Sequence, residues 1–390
     1  MQPLPQPEVP QYISSLVPYV PGKPIEETQR ELNLRRVIKL ASNENPLGPS
    51  PKAVQAIKKA LKTLHRYPDS SGFRLKQALA TQLAAFGVRA NSIVLGNGSN
   101  DVIDLLIRTF CVPGDAIVTS QAAFIAYRIC AQIQGVKSIE SPLTSDLRFD
   151  LGEMLRLVRK NPEVKMIFIA NPNNPTGTYV TESELRDFLE GVAKIRSGNI
   201  PVIIDAAYTE FVTARDLPNP MKLREEFPNV VVLRTFSKAY GLGGLRVGYG
   251  IAEPAMVATL DKVRQPFNLN ALALAGAEAA LGDRAFVARS VKTVNQGMKF
   301  WERQLERLGI PFWKSQGNFI LVDVARGLGR LGGEVYLDCL RKGVIFRPVA
   351  NYGLHHALRI SIGTAKENRV AAKVLGTVGA SSVAGASFKR

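Results

Sequence analysis

Residues 165–177 read KMIFIANPNNPTG, and this stretch decides the fold. Its first half is almost wholly apolar rather than alternating, the pattern of a strand buried on both faces, and its asparagine- and proline-rich second half stops that strand abruptly. Residues 92–95, 116–119, 201–205 and 230–234 have the same character. Amphipathic stretches lie between them, among them 101–110 and 182–195, so strand and helix alternate along the chain. That order predicts an α/β fold, a mostly parallel sheet with helices on both faces.

Outward from this core the pattern changes twice. After about residue 285 come a long charged helix, 290–308, and shorter strands at 318–324 and 358–362, which predict a smaller α+β domain over 286–375. The large domain is expected over 50–285; Ser50 followed by Pro51 marks a helix start there, because serine caps free amides and proline fits the first turn. Residues 31–49 are assigned to the N-terminal part of the small domain. Residues 1–30 hold prolines at positions 3, 5, 7, 10, 18, 21 and 24, and are expected to form an extended arm without helix. Residues 376–390 are small and lack an apolar period, which predicts a flexible tail.

A chain of 390 residues, 46% hydrophobic and 21% charged, is long enough for two domains and too apolar to be disordered. No apolar run reaches the roughly 20 residues a bilayer span needs. The first residues also lack a basic-then-hydrophobic leader, so the expectation is a cytoplasmic protein without membrane contact. Cys111, Cys130 and Cys339, with His65, His355 and His356, are too scattered for a metal set, and no metal is expected. A net charge of +17 raises nucleic acid as a partner. Zinc-finger spacing, a basic region before heptads and an aromatic-rich RNA signature are all missing, so the basic surface is read as suiting small anionic substrates. Gly327, Gly329 and Gly332 form a G-x-G-x-x-G pattern, yet no acidic residue between Asp338 and Glu367 is available to hold a ribose, and it is read as a turn.

Four strand ends carry chemistry. Leu95-Gly96-Asn97-Gly98-Ser99-Asn100-Asp101 turns a buried strand into a helix through two glycines, a place where backbone amides meet an anion. Asn171 to Gly177 ends a second strand, Asp205-Ala206-Ala207-Tyr208 a third, and Thr235-Phe236-Ser237-Lys238 a fourth, followed by Leu245-Arg246-Val247-Gly248. In an open parallel sheet such ends converge on one crevice. An amide, a carboxylate, a phenol, an amine, a hydroxyl and a guanidinium would meet there around one ligand.

This order of motifs resembles the fold-type I pyridoxal-phosphate enzymes, and from Leu16 to about Val374 the chain is similar to histidinol-phosphate aminotransferases. Four stretches carry the finer likeness: LVPYVPGKP at 16–24, LASNENPLG at 40–48, Tyr67-Pro68-Asp69, and LRISIGT at 358–364. The resemblance implies a seven-stranded, mostly parallel sheet in the large domain and pyridoxal 5'-phosphate as cofactor. It implies that Lys238 holds the cofactor covalently and then shuttles a proton, that Asp205 pairs with the pyridine nitrogen, and that Tyr208 and Asn174 bond the ring hydroxyl. Phe124 would stack on the ring. Gly98, Ser99, Asn100, Ser237 and Arg246 would form the phosphate cup, completed by Tyr67 of the partner subunit, which implies a homodimer. Arg359 would bind the substrate α-carboxylate, and Arg347, Tyr19 and Asn174 would complete recognition of the substrate; a guanidinium suits both carboxylate and phosphate.

Two positions depart from the family's pattern. Ala206 stands where Glu is usual, which is expected to change the polarity around the cofactor pocket or the substrate preference, and Gln121-Ala122-Ala123 replaces a proline-rich lead-in to the stacking residue. The expected reaction is amino transfer between histidinol phosphate and 2-oxoglutarate, giving imidazole acetol phosphate and L-glutamate, in histidine biosynthesis. An aromatic amino acid aminotransferase or a threonine-phosphate decarboxylase would share every cofactor residue. A nucleic-acid-binding regulator with an aminotransferase-like domain is the rival from another class, but the proline-rich first 30 residues cannot be its DNA-reading module.

Overall fold

The computed structural model describes residues 7–386. In chain order its strands are β1 (Ile38–Lys39), β2 (Ile93–Gly96), β3 (Ala116–Ser120), β4 (Lys137–Ser141), β5 (Val164–Ala170), β6 (Val202–Asp205), β7 (Val230–Thr235) and β8 (Gly248–Ile251), then β9 (Phe312–Trp313), β10 (Phe319–Asp323), β11 (Val344–Ile345), β12 (Arg347–Pro348) and β13 (Ala357–Ser361). The large sheet has seven strands in the order β2-β8-β7-β6-β5-β3-β4. All its pairings are parallel except those of β8, which is antiparallel to both β2 and β7.

This topology positions the site. Two strands antiparallel to the same neighbour run in the same direction, so β2 ends at the edge where β5, β6 and β7 end. Register makes the ends level: Gly96 and Thr235 both face Gly248. The loop between β7 and β8 turns back over that edge and carries Ser237, Lys238 and Arg246 with it.

The five predicted buried blocks are β2, β3, β5, β6 and β7. β4 and β8 escaped prediction for physical reasons. β4 is the polar, half-exposed edge strand KSIES, and β8, GYGI, has glycines that read as loop. Gly248 is required there, because a Cβ would stand 2.3 Å from the Ser99 amide nitrogen.

The smaller sheet, β12-β13-β10-β9, is antiparallel. Helix Arg284–Leu308 packs its Trp301 into a second core with Phe319 and Phe346. β1 pairs in parallel with β11, tying residues 38 and 39 to this part of the molecule. Tyr208 from the large sheet's side also enters this core, so the two parts meet at the site.

Two expectations need correction. The arm holds helices Gln11–Ser14 and Ile25–Leu32, because Pro10 and Pro24 sit at the caps and the windows after them are free of proline. The chain also stays helical from Ala365 to Ala386, where a tail was expected from 376; buried Leu375 and Val378, one turn apart, anchor it. The first six residues of the expected arm and residues 387–390 of the expected tail lie outside the described residues.

Candidate active site

A cavity of about 290 Å³ opens at the level strand ends. Of the residues named from sequence, Tyr19, Ser99, Asn100, Phe124, Asn174, Asp205, Tyr208, Ser237, Lys238, Arg246, Arg347 and Arg359 line it. Gly98, packed against Arg246, and Tyr67 are not among its lining residues. Tyr67 is 84% exposed and stacks on Phe267 with ring centroids 4.8 Å apart.

One end of the cavity is built for an anion. Helix Ser99–Phe110 springs directly from β2, and no side chain caps its first turn. Its start carries the positive end of the helix dipole and free amides. Gly98 adopts φ +89°, and a Cβ there would meet Arg246 Nη2 at 2.4 Å, so only glycine lets that guanidinium close over the helix start. Arg246 Nη1 donates to the Gly243 carbonyl at 2.9 Å. Thr235 Oγ1 accepts the Ser237 N–H (3.1 Å) and donates to Ser237 Oγ (3.0 Å), which leaves the serine its own proton for a ligand.

At the centre Lys238 Nζ donates one long hydrogen bond, to the Ser42 carbonyl at 3.3 Å. Burial first, and Arg359 second, push its pKa down from 10.5 to about 8. Asp205 closes β6 with its carboxylate buried; Oδ2 accepts from the Tyr127 hydroxyl at 2.8 Å and Oδ1 from the Ala207 N–H at 3.2 Å. Neither partner is a cation, and burial raises the carboxyl pKa. Tyr208, its pKa pushed by burial to about 12, accepts from Asn43 Nδ2 at 3.0 Å. Phe124 borders the cavity edge-on to Tyr127, with centroids 5.7 Å apart.

The opposite end is cationic. Arg359, on β13, donates from Nη1 to Asn174 Oδ1 and from Nη2 to the Ala41 carbonyl at 2.6 Å, while its Nε is buried without a hydrogen-bond partner. Arg347 donates to the Val20 carbonyl at 2.9 Å and lies 5.8 Å from the Tyr19 ring centroid. The arm thus folds over this end of the cavity.

Ala206 is wholly buried in the large-domain core between Asp205 and Ala207, which both line the cavity, so it stands behind the cavity wall rather than in it. Gly327 lies within helix Val324–Leu328, Gly329 caps that helix in the left-handed region and Gly332 opens helix Gly332–Arg341, and none of the three lines the cavity. Sequence reasoning did not assign Tyr127, Asn43, Ser361 or Tyr352. Asn43 was visible within LASNENPLG, but nothing in the order of residues showed that it would cross to Tyr208.

The donor set fits pyridoxal phosphate: a part-buried amine held by one long hydrogen bond, a buried carboxylate hydrogen-bonded by neutral donors, and a helix start closed by arginine answer its aldehyde, ring nitrogen and phosphate. Fold and site together define a fold-type I pyridoxal-phosphate enzyme. The aminotransferase class I and II profile matches residues 35–375, and the chain belongs to that family. Among its relatives, a histidinol-phosphate aminotransferase of Anaeromyxobacter sp. is 46% identical over 95% of this chain and 99% of its own length. One from Bdellovibrio bacteriovorus is 44% identical over 94% and 96%. The crystal structure of histidinol-phosphate aminotransferase from Sinorhizobium meliloti in complex with pyridoxal-5'-phosphate superposes with a TM-score of 0.85 at 26% identity, covering 97% of this chain and 99% of that one.

Proposed function

We propose that this protein is a pyridoxal-phosphate-dependent histidinol-phosphate aminotransferase, exchanging an amino group between L-histidinol phosphate and 2-oxoglutarate in histidine biosynthesis. The observation that carries the reading is the pairing of Lys238 and Asp205, an amine and a carboxylate that line one cavity with a cationic pocket beyond them. Relatives of near-equal length that bear this activity in their names support it.

When bound, pyridoxal phosphate supplies the electron sink that makes a substrate Cα–H acidic. The chain does the rest. Ser99, Asn100, Ser237 and Arg246 hold the phosphate, Asp205 keeps the ring nitrogen protonated, and Phe124 backs the ring. Tyr208 and Asn174 bond the ring oxygen. Lys238 Nζ would hold the cofactor and, as the base beside the substrate, would move the Cα proton. Arg359 and Arg347 receive a carboxylate in one half-reaction and a phosphate in the other, which a planar guanidinium allows.

The same reading makes the protein a cytoplasmic homodimer. Three buried free cysteines suit a reducing compartment. The exposed Tyr67–Phe267 stack offers a second copy an aromatic contact, from which Tyr67 would complete the partner's phosphate cup. To test the function, histidinol phosphate, L-glutamate and L-phenylalanine are added separately to cofactor-loaded enzyme and the visible band is followed. Rapid bleaching by the first two supports the proposal. Bleaching by phenylalanine alone moves the activity to aromatic transamination, and bleaching by none removes the transaminase reading.

A further inference from the structure

Asn43 stands at the junction of the two parts of the molecule, 1% exposed, with a φ of +54° that asparagine tolerates better than most residues. Every polar atom of it is engaged. Its N–H donates to Ser361 Oγ at 2.8 Å, and its carbonyl accepts from Asn318 Nδ2 at 3.0 Å. Its side-chain Oδ1 accepts from Ser361 Oγ at 2.8 Å, and its Nδ2 donates to Tyr208 Oη at 3.0 Å.

The chain of bonds has a direction. Ser361 Oγ already accepts the backbone N–H, so its own proton goes to Oδ1; that turns the amide so that its NH₂ faces Tyr208. An amide NH₂ donates and cannot accept, whereas a phenol has one proton to give. The Tyr208 oxygen is therefore an acceptor toward Asn43, and its proton is turned into the cavity. Ser361 and Asn318 belong to or adjoin the small sheet, while Tyr208 follows β6 of the large one, so the bond spans the two parts.

Resting on the proposed function, we infer that Asn43 is a positioning residue: it holds the Tyr208 hydroxyl as a donor to the cofactor's ring oxygen and sets the basicity of the cofactor nitrogen attached to Lys238. A donor to that anionic oxygen spreads its charge, so it holds the neighbouring proton less firmly and the nitrogen titrates lower.

The test is the pH midpoint of the bound cofactor's visible absorbance change, read in wild type, N43D, Y208F and the double variant. The carboxylate introduced by N43D would accept the Tyr208 proton and withdraw it from the cavity. N43D is expected to raise the midpoint by about one pH unit in the wild-type background, the size of a tenfold change in proton affinity. It also adds a charge, and the Y208F background isolates that contribution: there the further shift from N43D should be clearly smaller. Equal shifts in both backgrounds overturn the inference, as does no shift in either. If N43D does not take up cofactor, Ser361→Ala carries the same test, because freeing Oδ1 lets the amide turn and should raise the midpoint only while Tyr208 is present. A wild-type protein that takes up no pyridoxal phosphate would instead refute the functional reading itself.

Discussion

The Tyr127 hydroxyl donates to Asp205 Oδ2 across 2.8 Å, with the tyrosine wholly buried and the aspartate nearly so. A buried carboxylate is costly unless its lone pairs are met, and this bond meets one of them without neutralising the charge.

Tyr127→Phe removes that donor and leaves the ring in place. A hydrogen bond to a charged group contributes about 1.5–3 kcal/mol, so affinity of the apoprotein for pyridoxal phosphate should fall on the order of tenfold to a hundredfold. Equilibrium titration of the visible band measures it. An affinity equal to wild type would mean that the Ala207 amide suffices to orient Asp205.

Cofactor capture should depend on pH through Lys238. Only the neutral amine is a nucleophile, and with its pKa lowered to about 8 by burial and Arg359, capture should rise with pH up to about 8 and level off above it. Stability of the apoprotein follows the same sign. The ordinary pKa, 10.5, exceeds the folded value, so the penalty for a buried ammonium is full below about 8 and is relieved as pH rises toward 10.5. Arg359→Leu removes a like charge and should move the capture midpoint upward. A wild-type midpoint near 10.5 would contradict the buried setting of the amine.

Gly98→Ala should cripple phosphate binding and spare the fold. A Cβ would press on Arg246 Nη2 at 2.4 Å and force a residue other than glycine to φ +89°. Retention of cofactor on gel filtration is expected to drop at least about tenfold, in line with backbone strain of some 1–3 kcal/mol plus a displaced guanidinium. Full retention would show that the arginine end can retreat freely.

Arg359→Lys keeps the charge and loses the planar fork that the proposed function sets against a substrate carboxylate and that donates to Asn174. KM for L-glutamate should rise about tenfold or more, since a charge-assisted bond contributes on the order of 1.5–3 kcal/mol. Steady-state kinetics with each substrate would reveal it. An unchanged KM would leave the carboxylate to Arg347.

The legible parts of this molecule are those governed by short-range rules. Apolar blocks such as 165–170 announce doubly covered strands, and glycine, proline and asparagine mark where they end, so most cavity residues can be named before any contact is known. What stays hidden depends on tertiary packing. β8 hides behind glycines that exist to let helix Ser99–Phe110 approach, and β4 behind its place at the sheet edge. Tyr127 looks like an ordinary core residue three positions after Phe124, because nothing local says that its hydroxyl will reach a strand 78 residues away. The helices at 11–14 and 25–32 are masked by the prolines that cap them.

Lys238, Arg246, Arg347 and Arg359 face one cavity and outnumber the carboxylates there, Asp205 and the solvent-exposed Glu44. Whatever anion enters relieves their mutual repulsion, and by mass action a ligand favouring the folded state raises its melting point. Heat resistance of the apoprotein therefore becomes a gauge of the surrounding phosphate and carboxylate pool: a culture starved of these metabolites would hold a softer enzyme, more open to proteolysis, than one well supplied.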